Sequence, residues 1–373
     1  MIFRTFGWSF GITAVGLVIA YLYGGATALA IAAILAVLEI SLSFDNAVVN
    51  ATVLDRMNEF WQKLFLTVGV LIAVFGMRLL FPLVIVAITA SLSPVEAVQL
   101  ALNDGARYGE VLTQAHPAIA AFGGMFLLML FLDYIFEERE ITWLSWIEKP
   151  LARIGRLDQL SAVAALVVLT VVSQTLAAPK DASTVLLSGI LGAVTYILVN
   201  GLGDLFETSA NLDTDAEPAD GVAPAVRAGG PSTVVKQAGK AAFFLFLYLE
   251  VLDASFSFDG VIGAFAITSD PIIIAIGLGI GAMYIRSLTV FLVRKGTLDD
   301  YAYLEHGAHW AIGALAVLLL VTIEYEVPQI VTGLIGVGFI AAALMSSLAR
   351  NKRIRDLPSG TTAATTDRTG ARA

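Results

Sequence analysis

Residues 27–50 read TALAIAAILAVLEISLSFDNAVVN. Eleven apolar residues, Ala28–Leu38, run without interruption into Glu39, and then come Asp45, Asn46 and Asn50. About 20 mostly apolar residues are what a helix needs to cross ~30 Å of hydrocarbon. An acid near the middle of such a helix costs roughly 2.5–3.5 kcal/mol even on a mild insertion scale. The stretch therefore predicts a membrane-spanning helix whose acids are turned away from lipid.

The rest of the chain agrees. Of its 373 residues 58% are hydrophobic and 14% charged, and the mean hydropathy is +0.83. A soluble domain runs near 45–50% apolar and about 25% charged. Nine further stretches are long and apolar enough to cross, near 8–24, 63–90, 117–136, 161–178, 184–206, 238–265, 271–293, 305–323 and 328–349. Gly24-Gly25 supplies the tight turn between the first two passes. The expected fold is an all-α polytopic membrane protein of about ten helices. A nucleic-acid partner is not expected, since the formal charge is −9 and no basic block lies outside the tail. There are no cysteines, so disulfides and thiolate metal sites are excluded.

Basic residues orient the chain. With ten passes, 18 of the Lys and Arg residues fall on one side and only Arg107 and Lys180 on the other, with Arg78 and Arg286 inside spans. Both termini are thus expected in the cytoplasm, and the protein in the cytoplasmic membrane. Segment 137–160 mixes Trp143, Trp146, Ile141 and Leu144 with Arg and Glu. It is expected to lie as an amphipathic stretch at the headgroups. Residues 207–236, rich in Ala, Pro, Gly and Asp, read as a flexible cytoplasmic linker, and 351–373 as a disordered tail. The membrane parts are then 1–206 and 237–350.

The opening motif recurs. Glu39-Ile40-Ser41-Leu42-Ser43-Phe44-Asp45-Asn46 aligns with Asp253-Ala254-Ser255-Phe256-Ser257-Phe258-Asp259-Gly260, sharing the frame acid-x-Ser-x-Ser-Phe-Asp. The next span of each half carries one arginine, Arg78 and Arg286, and the span after that a His seven residues before a Gly, His116 and His306. Equivalent spans are five apart, so the two copies cross the bilayer in opposite senses. Inverted repeats of this kind place substrate and ion sites near the midplane.

At 100° per residue Glu39, Ser43, Asn46 and Asn50 share one stripe, and Glu250, Asp253, Ser257 and Gly260 share its counterpart. Asp45 and Asp259 fall about 120° away, so each helix either has two polar faces or unwinds at Ser-Phe-Asp. Five buried acids face two arginines. Pairing Asp45 and Asp259 with Arg78 and Arg286 would leave Glu39, Glu250 and Asp253 to bind protons or a cation. Asn46, Asn50, Ser41, Ser43, Ser255 and Ser257 add the oxygen donors that hard cations prefer. Polar glue between helices would explain the Ser and Asn residues, but not the repeated acids. His116, His306 and His309 at the span entrances are expected at the surface. No nucleophile–base pair or cofactor loop marks an enzyme, and no tightly bound cofactor is expected.

These motifs resemble those of the TerC-like integral membrane proteins, relatives of the lysine-exporter superfamily, over roughly 27–140 and 238–323. Gly260 stands where the usual second motif has Ser, and Glu250 is extra. The resemblance implies a role in manganese export or tellurite resistance, with Glu39, Asp45, Asn46, Asp253 and Asp259 carrying the ion. The expected function is export of a divalent cation, Mn²⁺ foremost. The alternatives are export of a small organic solute and a non-transporting subunit docked to cytoplasmic stress-response proteins.

Overall fold

A computed structural model describes residues 2–69, 71–155, 159–214, 239–265, 267–295 and 301–355. Among them every regular element is helical. The helices are α1 (Ile2–Leu42), α2 (Phe44–Leu54), α3 (Glu59–Leu64), α4 (Phe81–Thr89), α5 (Pro94–Asn103), α6 (Gly105–Phe136), α7 (Ser145–Ile154), α8 (Leu160–Thr175), α9 (Ala182–Thr214), α10 (Gly239–Phe265), α11 (Pro271–Lys295), α12 (Leu304–Val321) and α13 (Gln329–Arg355). Two π-helical segments, Phe65–Gly69 and Ile72–Leu80, join α3 to α4. Among the described residues seven helical runs are long and apolar enough to cross a membrane. The chain is an all-α polytopic membrane protein, and each of the ten expected stretches falls on helix.

The first run, Thr5–Ser41, holds two of those stretches, and its packing shows why. Gly25 has φ 69° and ψ −157°, a backbone open only to glycine, and Gly24 before it is non-helical too. Before this break Ser9 bonds to Ser287 and to the Met283 carbonyl, while Gly16 meets Ile276 and Ile280. After it, Ala32 and Leu35 pack on Gly277, and Ala36 and Glu39 on Gly281. The two arms therefore follow α11 in opposite directions, and Gly24-Gly25 reverses the chain.

Contacts define two ends of the bundle. At one, α5 lies over the end of α4, and Gly105 at the start of α6 approaches the Ser269 carbonyl between α10 and α11. At the other, Glu305 at the start of α12 meets Arg56 after α2 at 3.9 Å and Arg139 after α6 at 3.6 Å. Here α7 packs through the buried Glu148, which accepts from Trp310 Nε1 at 3.1 Å. Buried Val86, Leu112 and Ile274 fill the α5 half of the bundle, and Leu54, Phe126 and Leu252 the α7 half. Most basic residues of the loops, among them Arg56, Arg139, Lys149 and Arg153, gather at the α7 end, as do both ends of the described chain.

Three local expectations change. Residues 207–214 continue α9 instead of starting the linker, and 215–236 lie outside the described residues. Residues 351–355 likewise extend α13, with 356–373 outside the description. His306 is buried, at 5% exposure, and His309 stacks on Tyr134 at 3.6 Å, so neither is a surface histidine. Glu148 of α7 reaches His306 Nδ1 at 3.4 Å, and the Tyr134 ring covers His309.

Candidate functional site

The first motif breaks its helix. Ser43, with φ −102° and ψ 17°, separates α1 from α2, while its N–H still donates to the Glu39 carbonyl at 3.0 Å. The second motif does not unwind, and α10 runs helical through Ser257 and Gly260 to Phe265. The two copies thus use different backbones, and the unwinding weighed for both occurs in one.

Among the described side chains the arginines pair with Glu39, Glu250 and Asp253, the acids the sequence reading had left for a proton or a cation. Arg78 Nη2 donates to Glu39 Oε1 at 2.5 Å, and its Nη1 to the Ala73 carbonyl at 2.6 Å. Arg286 forms a fork on Glu250, Nη1–Oε1 at 3.2 Å and Nη2–Oε2 at 3.3 Å, and Nη2 also reaches Asp253 Oδ2 at 3.2 Å. Its guanidinium lies 4.0 Å over the Phe65 ring. Glu39, Arg78, Glu250, Asp253 and Arg286 are all buried. The side chains of Asp45 and Asp259 lie outside the described residues. In the aligned repeats Glu39 corresponds to Asp253 and Arg78 to Arg286, so the same bond forms in each half.

Glycines let the halves interlock around these pairs. A Cβ at Gly281 would fall 2.4 Å from Glu39 Cβ and Cγ, and one at Gly69 would fall 2.4 Å from Arg286 Nη1. Each repeat's ion pair is therefore seated on a glycine of the other repeat. At Gly260 the missing side chain leaves room for Glu39 Oε2, which would lie 3.1 Å from a Cβ there.

Between the repeats lies a pocket of about 60 Å³, bordered by Glu39, Ser43, Asn46, Ser255, Gly260 and Thr332. One water needs roughly 10–15 Å³ of such space, so the pocket admits a few waters or a small ion. Glu39 spends Oε1 on Arg78, which leaves Oε2 as an acidic oxygen for the pocket. Asn46 is 6% exposed and follows Ser43 on the same face of the chain. Thr332 Oγ1 is buried and makes no hydrogen bond. One turn beyond Asn46, Asn50 is 1% exposed and neither amide atom has a partner. A buried amide left unsatisfied costs about 1–3 kcal/mol or more, which marks it as a polar group held for something else.

Other expected residues stand apart. Ser41 is exposed and returns its hydroxyl to the Val37 carbonyl at 2.7 Å. Ser257 is buried on α10 but does not border the pocket. Glu250 and Asp253 are engaged by Arg286 and do not border the pocket. Among the described residues no group of three or more His, Asp or Glu is assembled as a metal site. Sequence reading missed Thr332, Phe65, Gly69 and Gly281. A lone Thr, a lone Phe and two of 33 glycines carry no signal until packing shows what they touch.

Residues 44–354 match the model of the family described as "Protein of unknown function (DUF475)", and the chain belongs to that family. No curated protein and no solved structure matches the chain.

Proposed function

We propose that the protein moves a divalent cation across the membrane, Mn²⁺ in preference to softer metals, with the ion held between the repeats at Glu39. The carrying observation is that Glu39 turns one carboxylate oxygen into a small buried pocket bordered by Asn46, Ser43 and Thr332. Carboxylate, amide and hydroxyl oxygens suit Mg²⁺, Ca²⁺ and Mn²⁺, and no thiolate is available to favour a softer ion. The motif resemblance to TerC-like proteins supports Mn²⁺ and the direction of export. Asp45 and Asp259, one in each motif, would complete the ligand set.

The volume argues against an organic solute. A pocket for a small organic molecule spans ~300–1,000 Å³, and this one, with Phe256 its one aromatic wall, is far smaller. The basic α7 end would face the cytoplasm, by the charge asymmetry of its loops. A docking partner for residues 137–160 remains the rival reading, and it requires no ion flux.

Reconstituted liposomes test the proposal with a Mn²⁺-quenched dye inside. Glu39→Gln keeps size and shape but removes the charge, and should abolish flux. Asp259→Asn should do the same. Wild-type flux in both variants would sink the site, and no flux in the parent protein would favour the docking role.

A further inference from the structure

A second cavity lies at the α7 end and shares no bordering residue with the pocket at Glu39. Its volume is about 460 Å³. Small-molecule sites span ~300–1,000 Å³. Three elements border it, and they bring different charges. The segment after α6 contributes Glu137, Glu138 and Glu140. The cation among them, Arg139, donates from Nη2 to Glu137 Oε2 at 2.6 Å and lies 3.6 Å from Glu305 through Nη1. This segment is therefore acidic on balance.

The second element, α7, contributes Lys149 and Arg153. Both are exposed, and neither forms an ion pair among the described residues. The acid of α7, Glu148, is buried and already accepts from the Trp143 and Leu144 N–H groups at 2.9 and 3.1 Å and from Trp310 Nε1. The third element, α12, contributes the buried His306, whose Nδ1 makes no hydrogen bond although Glu148 Oε2 is 3.4 Å away. A buried polar atom without a bond is costly, and here it borders open space.

A lone anion would meet the acids of this cavity, and a lone cation its Lys and Arg. A ligand carrying both charges satisfies both elements. The surroundings select the anion. Trp146, Lys149 and Arg153 are spaced i, i+3 and i+7, on one stripe of α7. Trp146 is 76% exposed. A bare indole beside Lys and Arg is the pattern of a helix at headgroup depth. Phosphate is the anion of that layer, and Arg binds it through strong charge-assisted hydrogen bonds.

We propose that this cavity binds a phosphoethanolamine group, with the phosphate on Lys149 and Arg153 and the ammonium on Glu140 and its acidic neighbours, supplied by an aminophospholipid of the leaflet at the α7 end. Bound there, the group fastens α7 to the segment after α6. The site stands whatever crosses the membrane, because it is separate from the pocket at Glu39.

Native mass spectrometry of the full-length protein in detergent tests this, with phosphatidylethanolamine or phosphatidylglycerol added. The parent protein should hold phosphatidylethanolamine at least about tenfold more tightly than phosphatidylglycerol, which has the phosphate but no ammonium. Lys149→Gln with Arg153→Gln should weaken phosphatidylethanolamine by at least about tenfold. Glu140→Gln should narrow the preference over phosphatidylglycerol, which a plain basic surface would not do. All three side chains are exposed, so these changes leave the fold intact. Free phosphoethanolamine and Trp146→Ala separate the two sources of the group. Competition by the free compound, with Trp146→Ala weakening the lipid alone, supports the lipid. Binding of the free compound without retention of the lipid would uphold the charged site and overturn its lipid source. The proposal falls if phosphatidylglycerol binds as tightly as phosphatidylethanolamine, if the double variant retains phosphatidylethanolamine like the parent, or if neither lipid nor free compound binds.

Discussion

Among the described side chains, Arg286 is one cation between two buried carboxylates, and Arg78 is one cation beside a single one. The difference sets what each removal should cost. Breaking a buried ion pair by deleting one partner costs roughly 3–5 kcal/mol, because the remaining charge keeps its desolvation penalty without its counterion. Arg78→Met should therefore lower the melting temperature in detergent, and Arg286→Met should lower it further, since Glu250 and Asp253, 4% and 6% exposed, are then left facing each other's charge. Adding Glu250→Gln to Arg286→Met should restore part of the loss. Equal melting temperatures for the two arginine variants would contradict the pairing seen here. Sequence alone could name all five residues, because acids and arginines in apolar stretches stand out against their surroundings. It could not assign the partners. Asp45 and Asp259 were the symmetric choice for Arg78 and Arg286; among the described side chains the arginines reach the acid six residues earlier in each motif. That choice depends on the rotation of two helices about each other, which no one-dimensional pattern carries.

At the scale of the element, α5 is the clearest case of local sequence fixing local structure. Ser93 Oγ accepts from Glu96 N–H at 3.3 Å, Ser93 N–H donates to Glu96 Oε2 at 2.8 Å, and Pro94 opens the helix. This reciprocal cap satisfies two donors that the first turn would otherwise leave bare. The Ser93 backbone N–H holds the Glu96 carboxyl below its ordinary pKa of 4.5. A depressed carboxylate lends stability above its unfolded pKa and loses it as pH falls through the lower folded value. Hydrogen exchange corrected for intrinsic rates should show α5 protected near neutrality and loosening below about pH 4.5, ahead of α6. Ser93→Ala should loosen α5 at every pH, at a cost of about 1 kcal/mol. Unchanged protection in that variant would remove the cap from any role in α5. The π segments stand at the other extreme. Ile72–Leu80 adds a residue to its turns and so aims Arg78 at Glu39, yet nothing in IAVFGMRLL distinguishes it from an ordinary α-helix. A π turn is rare and is kept by the tertiary contact it makes possible, which is why no local pattern in the sequence announces it.

For the molecule as a whole, most of the architecture was legible because the bilayer leaves few solutions. Backbone groups in hydrocarbon must be satisfied within the segment, so apolar runs become helices. The repeat was legible through one frame, acid-x-Ser-x-Ser-Phe-Asp, and gained its structural counterpart in the Glu39–Arg78 and Asp253–Arg286 bonds. The interlock between halves was not legible. α1 belongs to the first repeat but lays both arms along α11 of the second, through Ser9 on Ser287 and Glu39 on Gly281. Such a surface holds the halves together without the chain that connects them. Two separately expressed pieces, 1–224 and 225–373, should therefore copurify when made in one cell, with a tag on either piece. Gly281→Ala, which drives a methyl group into Glu39, should weaken that recovery, whereas Gly11→Ala, with nothing within 4 Å of its new Cβ, should not. Pieces that fail to associate would mean that the linker, and not the face between α1 and α11, keeps the two repeats in register.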